Sequence, residues 1–274
     1  MSQSRLVIRT LRGAALGAAM LSLAACGSKP INYEEASVEV IYNDALKSLN
    51  DHEYKMAAQK FEEVERQHPY SVWARRAILM TAYSYYLSNK YSDSIIAAER
   101  YIGLHPGTPE VAYAYYLKAI CYYEQITDVG RDQQTTEEAM KALDAVVRRF
   151  PNTEYARDAR LKLDMTRDHL AGKELAVGRF YLVRQQYVAA INRFRRVLED
   201  YQTTSQVPEA LHRLTEAYLA LGIESEAQTA AAVLGYNYPG SEWYQDSYKL
   251  LAHAELKPEE NKGSWISRAW HRIL

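Results

Sequence analysis

Tyr54-Lys55-Met56-Ala57-Ala58-Gln59-Lys60-Phe61-Glu62-Glu63-Val64-Glu65-Arg66-Gln67-His68-Pro69 is the stretch on which the fold turns. Its marked positions are Tyr54, a small residue three later at Ala57, a large apolar one four later at Phe61, Val64 three further on, and a closing Pro69. The same ruler fits four more times: Tyr91, Ser94, Ala98, Tyr101, Pro106; Thr136, Ala139, Leu143, Val146, Pro151; Tyr187, Ala190, Phe194, Val197, with Gln202 for proline; and Glu224, Ala227, Ala231, Leu234, Pro239. Self-similarity of this kind is the signature of a stacked repeat.

The spacing is that of the second helix of the 34-residue tetratricopeptide repeat. A small residue lets the two helices of a hairpin approach closely, and the large residue one turn later fills the groove of its neighbour. A first helix precedes each ruler, with its own small residue at Ala45, Ala82, Ala119, Gly178 and Thr215, 24 positions before the proline or its equivalent except in the third unit. There, Ala119 to Pro151 is 32 residues, and the surplus falls in the polar run from Asp128 to Gln134, which predicts an inserted loop. The fourth unit has 27 residues from Pro151 to Gly178 where others have 13. Fourteen extra residues are almost four helical turns, so one long helix over about Thr153 to Arg184 keeps its packing face. Thr108-Pro109-Glu110, Thr153-Glu154 and Ser241-Glu242 carry the hydroxyl, proline or acid that starts a helix. The fold class is therefore all-α: a tetratricopeptide-repeat solenoid of about five helical hairpins, with a long helix in the middle and a capping helix around Trp243 to Leu251.

Outward from the repeats, the chain starts with Arg5, Arg9 and Arg12, an apolar run from Ala14 to Leu23, and small residues. This is the layout of a secretory signal, too short and too glycine-rich for a spanning helix. Leu23-Ala24-Ala25-Cys26 is similar to a bacterial lipobox, which implies cleavage before Cys26 and a diacylglycerol and an N-acyl chain on that residue; no other cofactor is expected. Gly27 and Ser28 follow in place of the aspartate that favours inner-membrane retention, so outer-membrane sorting is implied. The domains read as a signal peptide (1–25), a lipidated tether (26–36), the solenoid (37–252, with an early half 37–152 and a late half 153–252) and a tail (253–274). Loss of the signal leaves 30 basic against 34 acidic residues, which gives no basic field for nucleic acid. Cys121, then the one remaining cysteine, sits in an apolar run and reads as a small core residue. In the tail, Trp265, Ile266, Ala269, Trp270, Ile273 and Leu274 form an apolar stripe on a helix; docking on the last repeats, a partner protein and the membrane interface are all open to it.

Chemistry is not legible. The seven histidines lack metal-ligand spacing, His68 and His105 precede helix-stopping prolines, and no phosphate loop, dinucleotide pattern or nucleophile elbow is present. Glu62-Glu63 and Glu137-Glu138 read as solvated helix faces. No enzyme is expected. The 23 tyrosines are the unusual feature. First helices of such repeats line the concave groove, and counting from the small residue points Tyr42, Tyr83 and Tyr86 into it, where a phenol suits recognition of an exposed peptide segment; alternatively, the tyrosines fill wedges between repeats.

With lipobox, five repeats, the 37-residue step from Pro69 to Pro106, the insert with Arg131-Asp132 and the long helix after Phe150-Pro151-Asn152 in this order, the mature chain resembles the BamD family, tetratricopeptide lipoproteins of the machine that assembles outer-membrane β-barrels. The resemblance implies a non-catalytic adaptor on the periplasmic face, held to the outer membrane by its lipid alone. Its implied partners are a BamA-type barrel protein bound through a POTRA domain, other lipoproteins of the complex, and unfolded outer-membrane proteins. It assigns partner contact to Asn192 and Arg193, and substrate recognition to Arg100 and, where the family often has arginine, Lys55. Gln202 and the tail from Lys257 depart from the family pattern. A tetratricopeptide lipoprotein scaffold for cell-wall or envelope synthesis is the alternative, and a periplasmic holdase a second one.

Overall fold

The computed structural model describes residues 35–272; Cys26, the signal and most of the tether, and Ile273 and Leu274 of the tail stripe, lie outside the described residues. Within them the chain forms helices and no strand. Five hairpins follow one another: α1 (Val38–Asn50) with α2 (Tyr54–Gln67), α3 (Val72–Leu87) with α4 (Tyr91–Leu104), α5 (Val111–Tyr123) with α6 (Gln134–Arg149), α7 (Glu154–Val183) with α8 (Tyr187–Asp200), and α9 (Val207–Ala220) with α10 (Glu224–Asn237). Then come α11 (Glu242–His253) and a short α12 (Trp265–Trp270). From α1 to α11 each helix packs on the next, while α12 turns back onto α8 and α10; first helices of successive hairpins also touch one another, whereas second helices do not. The stack is therefore tighter on the side of the first helices, and the second helices are separated by clefts.

The ruler is the core. Ala57, Phe61 and Val64, and their counterparts in the other four hairpins, are at most 1 % exposed. The small residues of the first helices are equally hidden: Ala45, Ala82, Ala119 and Thr215 have no exposed surface, and a Cβ on Gly178 would lie 2.3 Å from the Phe194 ring. Where the small residue is polar, a local acceptor satisfies it. Ser94 donates to the Ala82 carbonyl at 2.7 Å, and the buried Cys121 thiol donates to the Ser94 hydroxyl. Burial pushes the Cys121 thiol up to about 11, so the residue is a packing element and not a nucleophile.

The long helix spans 30 residues, between Thr153, whose hydroxyl accepts from Ala156 N–H, and Arg184. Its first half shares a cluster with α5 and α6 through Ala159 and Leu163; its second half, through Ala171, Leu175 and Leu182, belongs to the core of the late repeats. Asp168, at the junction, accepts from the Ser205 N–H and hydroxyl and from Gln206, pinning the α8–α9 turn to α7. The inserted loop lies between α5 and α6 as the spacing predicts, and Lys173 of α7 donates to its Gly130 carbonyl at 3.3 Å.

Two expectations need correction. Thr108 does not cap α5: its hydroxyl donates back to the His105 carbonyl and faces Tyr101 Oη, so it closes the end of α4, and α5 starts after Glu110 without a side-chain cap. Glu63 is not a solvated face. It is 4 % exposed, and Arg66 and Gln67 close over its carboxylate; the Arg66 hydrogen bond holds its pKa below the usual carboxylate range, against burial. Residues 257–263, a linker by composition, run along α10, with Gln228 donating to the Lys257 carbonyl and Asn261 N–H to the Thr229 hydroxyl.

Candidate functional site

Three surfaces carry the residues singled out by sequence. On the side of the first helices, Tyr83 and Tyr86 of α3 pack with Tyr113 of α5 around Ala82, Ala97, Ala98 and Leu117. The tract continues into α7: Tyr155 lies 5.5 Å from Tyr113 and 5.2 Å from Tyr116, ring centre to ring centre. Tyr116 Oη donates to Asp158 at 2.7 Å, and Lys162 holds the same carboxylate. Burial raises the pKa of Tyr86, Tyr113, Tyr116 and Tyr155, so every phenol of the tract that titrates abnormally stays protonated. The result is a half-buried aromatic strip with hydroxyl tips across the first helices of three successive hairpins.

Tyr42 is not part of it. At 8 % exposure it sits in the core of the first hairpin, 5.3 Å from the Phe61 ring and 4.8 Å from Trp73. Its face of α1 is covered by α3, which the count from Ala45 could not reveal, so it is a packing residue.

Arg100 and Lys55 lie elsewhere again, on second helices. Arg100 of α4 reaches across to Glu65 of α2 at 2.5 Å, over a cleft that also holds Glu62, Tyr85, Asp93 and the exposed Ile96. Lys55 is exposed in the first turn of α2. The five residues expected in one groove are thus divided among the first-hairpin core, the tyrosine strip and the outer side of the second helices.

In the late half, Arg193 Nη1 meets Glu174 of α7 at 3.1 Å, and Arg196, one turn on, meets the other carboxylate oxygen at 2.7 Å. Glu174 is 8 % exposed while Arg193 and Arg196 stay substantially open to solvent, and Asn192 is exposed beside them. A buried carboxylate with two arginine partners keeps one if the other is drawn away. Glu174 escapes sequence reasoning because a single acid within a helix gives no sign of what crosses it; the signal available was the Arg193-x-x-Arg196 spacing, which puts two cations on one face.

The tail docks on these same repeats. Trp265 Nε1 donates to Tyr218 Oη at 2.7 Å, Arg195 stacks on the indole at 4.8 Å, Ile266 is fully buried, and Gln202 donates to the Ala269 carbonyl. Gln202, where the ruler has proline elsewhere, thus contributes one of the contacts that hold α12.

Among the described residues no group of His, Cys, Asp and Glu could hold a metal ion, and no helix is long and apolar enough to cross a membrane. A family model described as outer membrane lipoprotein, YfiO, matches residues 34–234. The chain is 52 % identical over 268 residues to the outer membrane protein assembly factor BamD of Caulobacter vibrioides, covering 97 % of this chain and 88 % of the relative. It is 44 % identical to the protein of the same name from Rickettsia prowazekii (84 % and 92 % covered) and 33 % identical to that of Neisseria meningitidis serogroup A (92 % and 96 % covered).

Proposed function

Because the chain belongs to the YfiO family of outer membrane lipoproteins, with the BamD assembly factors among its relatives, we propose that it is a lipid-anchored, non-catalytic adaptor that helps assemble and insert outer-membrane β-barrel proteins. The observation that carries this reading is 52 % identity to an assembly factor along nearly the whole chain. Membrane attachment falls to the acyl chains on Cys26, and the solenoid works on the periplasmic face. The early half, with its tyrosine strip and the Arg100 cleft, receives unfolded barrel substrates; the late half binds a POTRA domain of a BamA-type partner, and other lipoproteins of the complex join them.

Arg193 is the contact we assign to that partner. Its guanidinium is already oriented by Glu174, and a partner carboxylate that drew it away would leave Glu174 neutralised by Arg196. The exchange therefore avoids stranding a buried charge, which would cost several kcal/mol. Isolation of the native protein from detergent-solubilised outer membrane is expected to bring a POTRA-bearing barrel protein with it; its absence overturns the adaptor assignment. Arg193→Ala, which leaves the Arg196–Glu174 pair in place, is expected to weaken that association by about 2 kcal/mol or more, roughly thirtyfold, with the thermal midpoint unchanged within a few degrees. An unchanged association would reject the contact and leave the adaptor reading standing. Mass spectrometry of the native protein should find an acylated N-terminal Cys26.

A further inference from the structure

The tail shows what the clefts between second helices accept. Trp265 lies in the cleft between α8 and α10, over Tyr218 of the intervening α9. Its indole N–H donates to the phenol, the Arg195 cation stacks on its ring, and the Ser264 hydroxyl donates to Glu226 at 2.6 Å. Ala230 joins Ile266 in one buried cluster, its small side chain leaving room for the incoming helix.

These side chains occupy fixed positions of the repeat. Tyr218 stands three residues after the small residue of its first helix, Thr215; Glu226 and Ala230 stand one before and three after Ala227 on the ruler. In the third hairpin the same three positions are Tyr122, Glu138 and Ala142, the identical residue types despite the eight-residue insert. The fold brings them together: with Tyr115, Lys118 and Ala145 they line one open cleft floored by α5. Ala145 replaces the buried Val233 of the filled cleft, which leaves more room for a ring. Where α8 offers Arg195, α4 has Glu99, and Glu99 holds Lys118 at 2.6 Å beside the phenols, so a cation is supplied from the floor instead of the wall. The other hairpins fit less well. The second has Tyr85, Asp93 and Ala97, but the Arg100–Glu65 pair bridges its cleft; the first has Ser48, Met56 and Lys60, and the fourth has Tyr181, Ala189 and Arg193.

We propose that the cleft over α5, between α4 and α6, binds a helix start of the form Ser/Thr-Trp from a partner protein. The indole lies over Tyr122 against Lys118, and the preceding hydroxyl, the helix cap, donates to Glu138. An exposed Glu138–Lys141 pair, worth little in water, is the only contact of Glu138 that must yield. The surface is independent of Arg193 and does not rest on the adaptor reading.

The probe is a fluorescently labelled peptide with the sequence of residues 257–271, added to the full mature protein in detergent, whose own tail already fills the α8–α10 cleft. Anisotropy is expected to show saturable binding at one site, lost when the peptide carries Trp265→Ala. Filling the cleft with Ala142→Leu and Ala145→Leu is expected to weaken binding at least tenfold, and Glu138→Gln about threefold. In case the filled variant folds poorly, a benzophenone amino acid at exposed position 141 gives a second readout and should cross-link to the peptide. No saturable binding overturns the proposal, as do binding indifferent to the filled cleft, loss of binding on Ala97→Leu instead, and bound peptide that does not cross-link from position 141.

Discussion

Gly178 shows how a single atom sets the distance between two helices. Alanine there would gain about 1 kcal/mol in helix propensity, but its methyl carbon would sit 2.3 Å from the ring of Phe194, which is fully buried and has nowhere to go. Overpacking of this kind costs about 1–3 kcal/mol and outweighs the propensity gain. Gly178→Ala is expected to lower the thermal midpoint by several degrees, read by circular dichroism, and a midpoint that rose would mean that α7 and α8 are free to separate. His212 makes a different point. It is 6 % exposed, bonded through Nδ1 to the Ser247 hydroxyl and stacked near Trp243; burial first, and the Arg213 charge second, hold its pKa below the ordinary value. The unfolded chain therefore takes up a proton near pH 6.5 that the folded one refuses. The stability tied to this residue is whole above about pH 6.5 and is lost as the pH falls below it toward the folded pKa. Melting should become pH-dependent as the pH falls below about 6.5, and His212→Gln, able to keep a bond to Ser247, should flatten that dependence.

At the scale of the element, α12 is six residues long, far below what holds together alone in water. It persists because Ser264 caps it and because Trp265, Ile266 and Trp270 find neighbours in α8, α9 and α10. Trp265→Ala removes a half-buried indole, its bond to Tyr218 and the Arg195 stacking, together about 2 kcal/mol. Hydrogen exchange is expected to speed up by tenfold or more across residues 257–271 while α1 to α8 keep their protection. If the tail kept its protection, Ile266, Trp270 and the hydrogen bonds of Gln202 and Ser264 would suffice to hold it. The same element shows the limit of pattern reading. The apolar stripe demanded burial, and of its three possible hosts, the last repeats, a partner and the membrane, the surface between α8 and α10 is the one that meets the demand.

At the scale of the whole molecule, α7 decides whether the stack behaves as one body. A hairpin array is coupled through nearest neighbours, and here 30 residues, about 45 Å of helix, belong to the cores on both sides. A proline at the half-exposed Arg167 removes a backbone hydrogen bond in mid-helix and costs about 3 kcal/mol. Arg167→Pro is expected to turn a single urea transition into two, one for each half, with the early repeats and the late repeats followed separately by tryptophans placed in each. A single transition at lower urea would show that the halves are joined by more than α7.

The fold was legible in the sequence because its cause is local and repeated. A small residue, a large one a turn later and a stop recur five times, and each instance dictates the same hairpin, including the length of α7, which follows from counting turns. The placement of functional residues was legible only in part, because a helix face names no neighbour. Tyr42, three residues before its small residue, and Tyr83, one after its own, fall on the same helix face one turn apart, yet Trp73 covers the first and leaves it in the core, while the second joins Tyr113 in an open strip. Glu174 became the anchor of Arg193 only when α8 crossed it. What the sequence by itself determined was the hairpin, through short-range packing periodicity; what only tertiary structure decided was which surfaces remain open, because burial depends on residues far away in the chain.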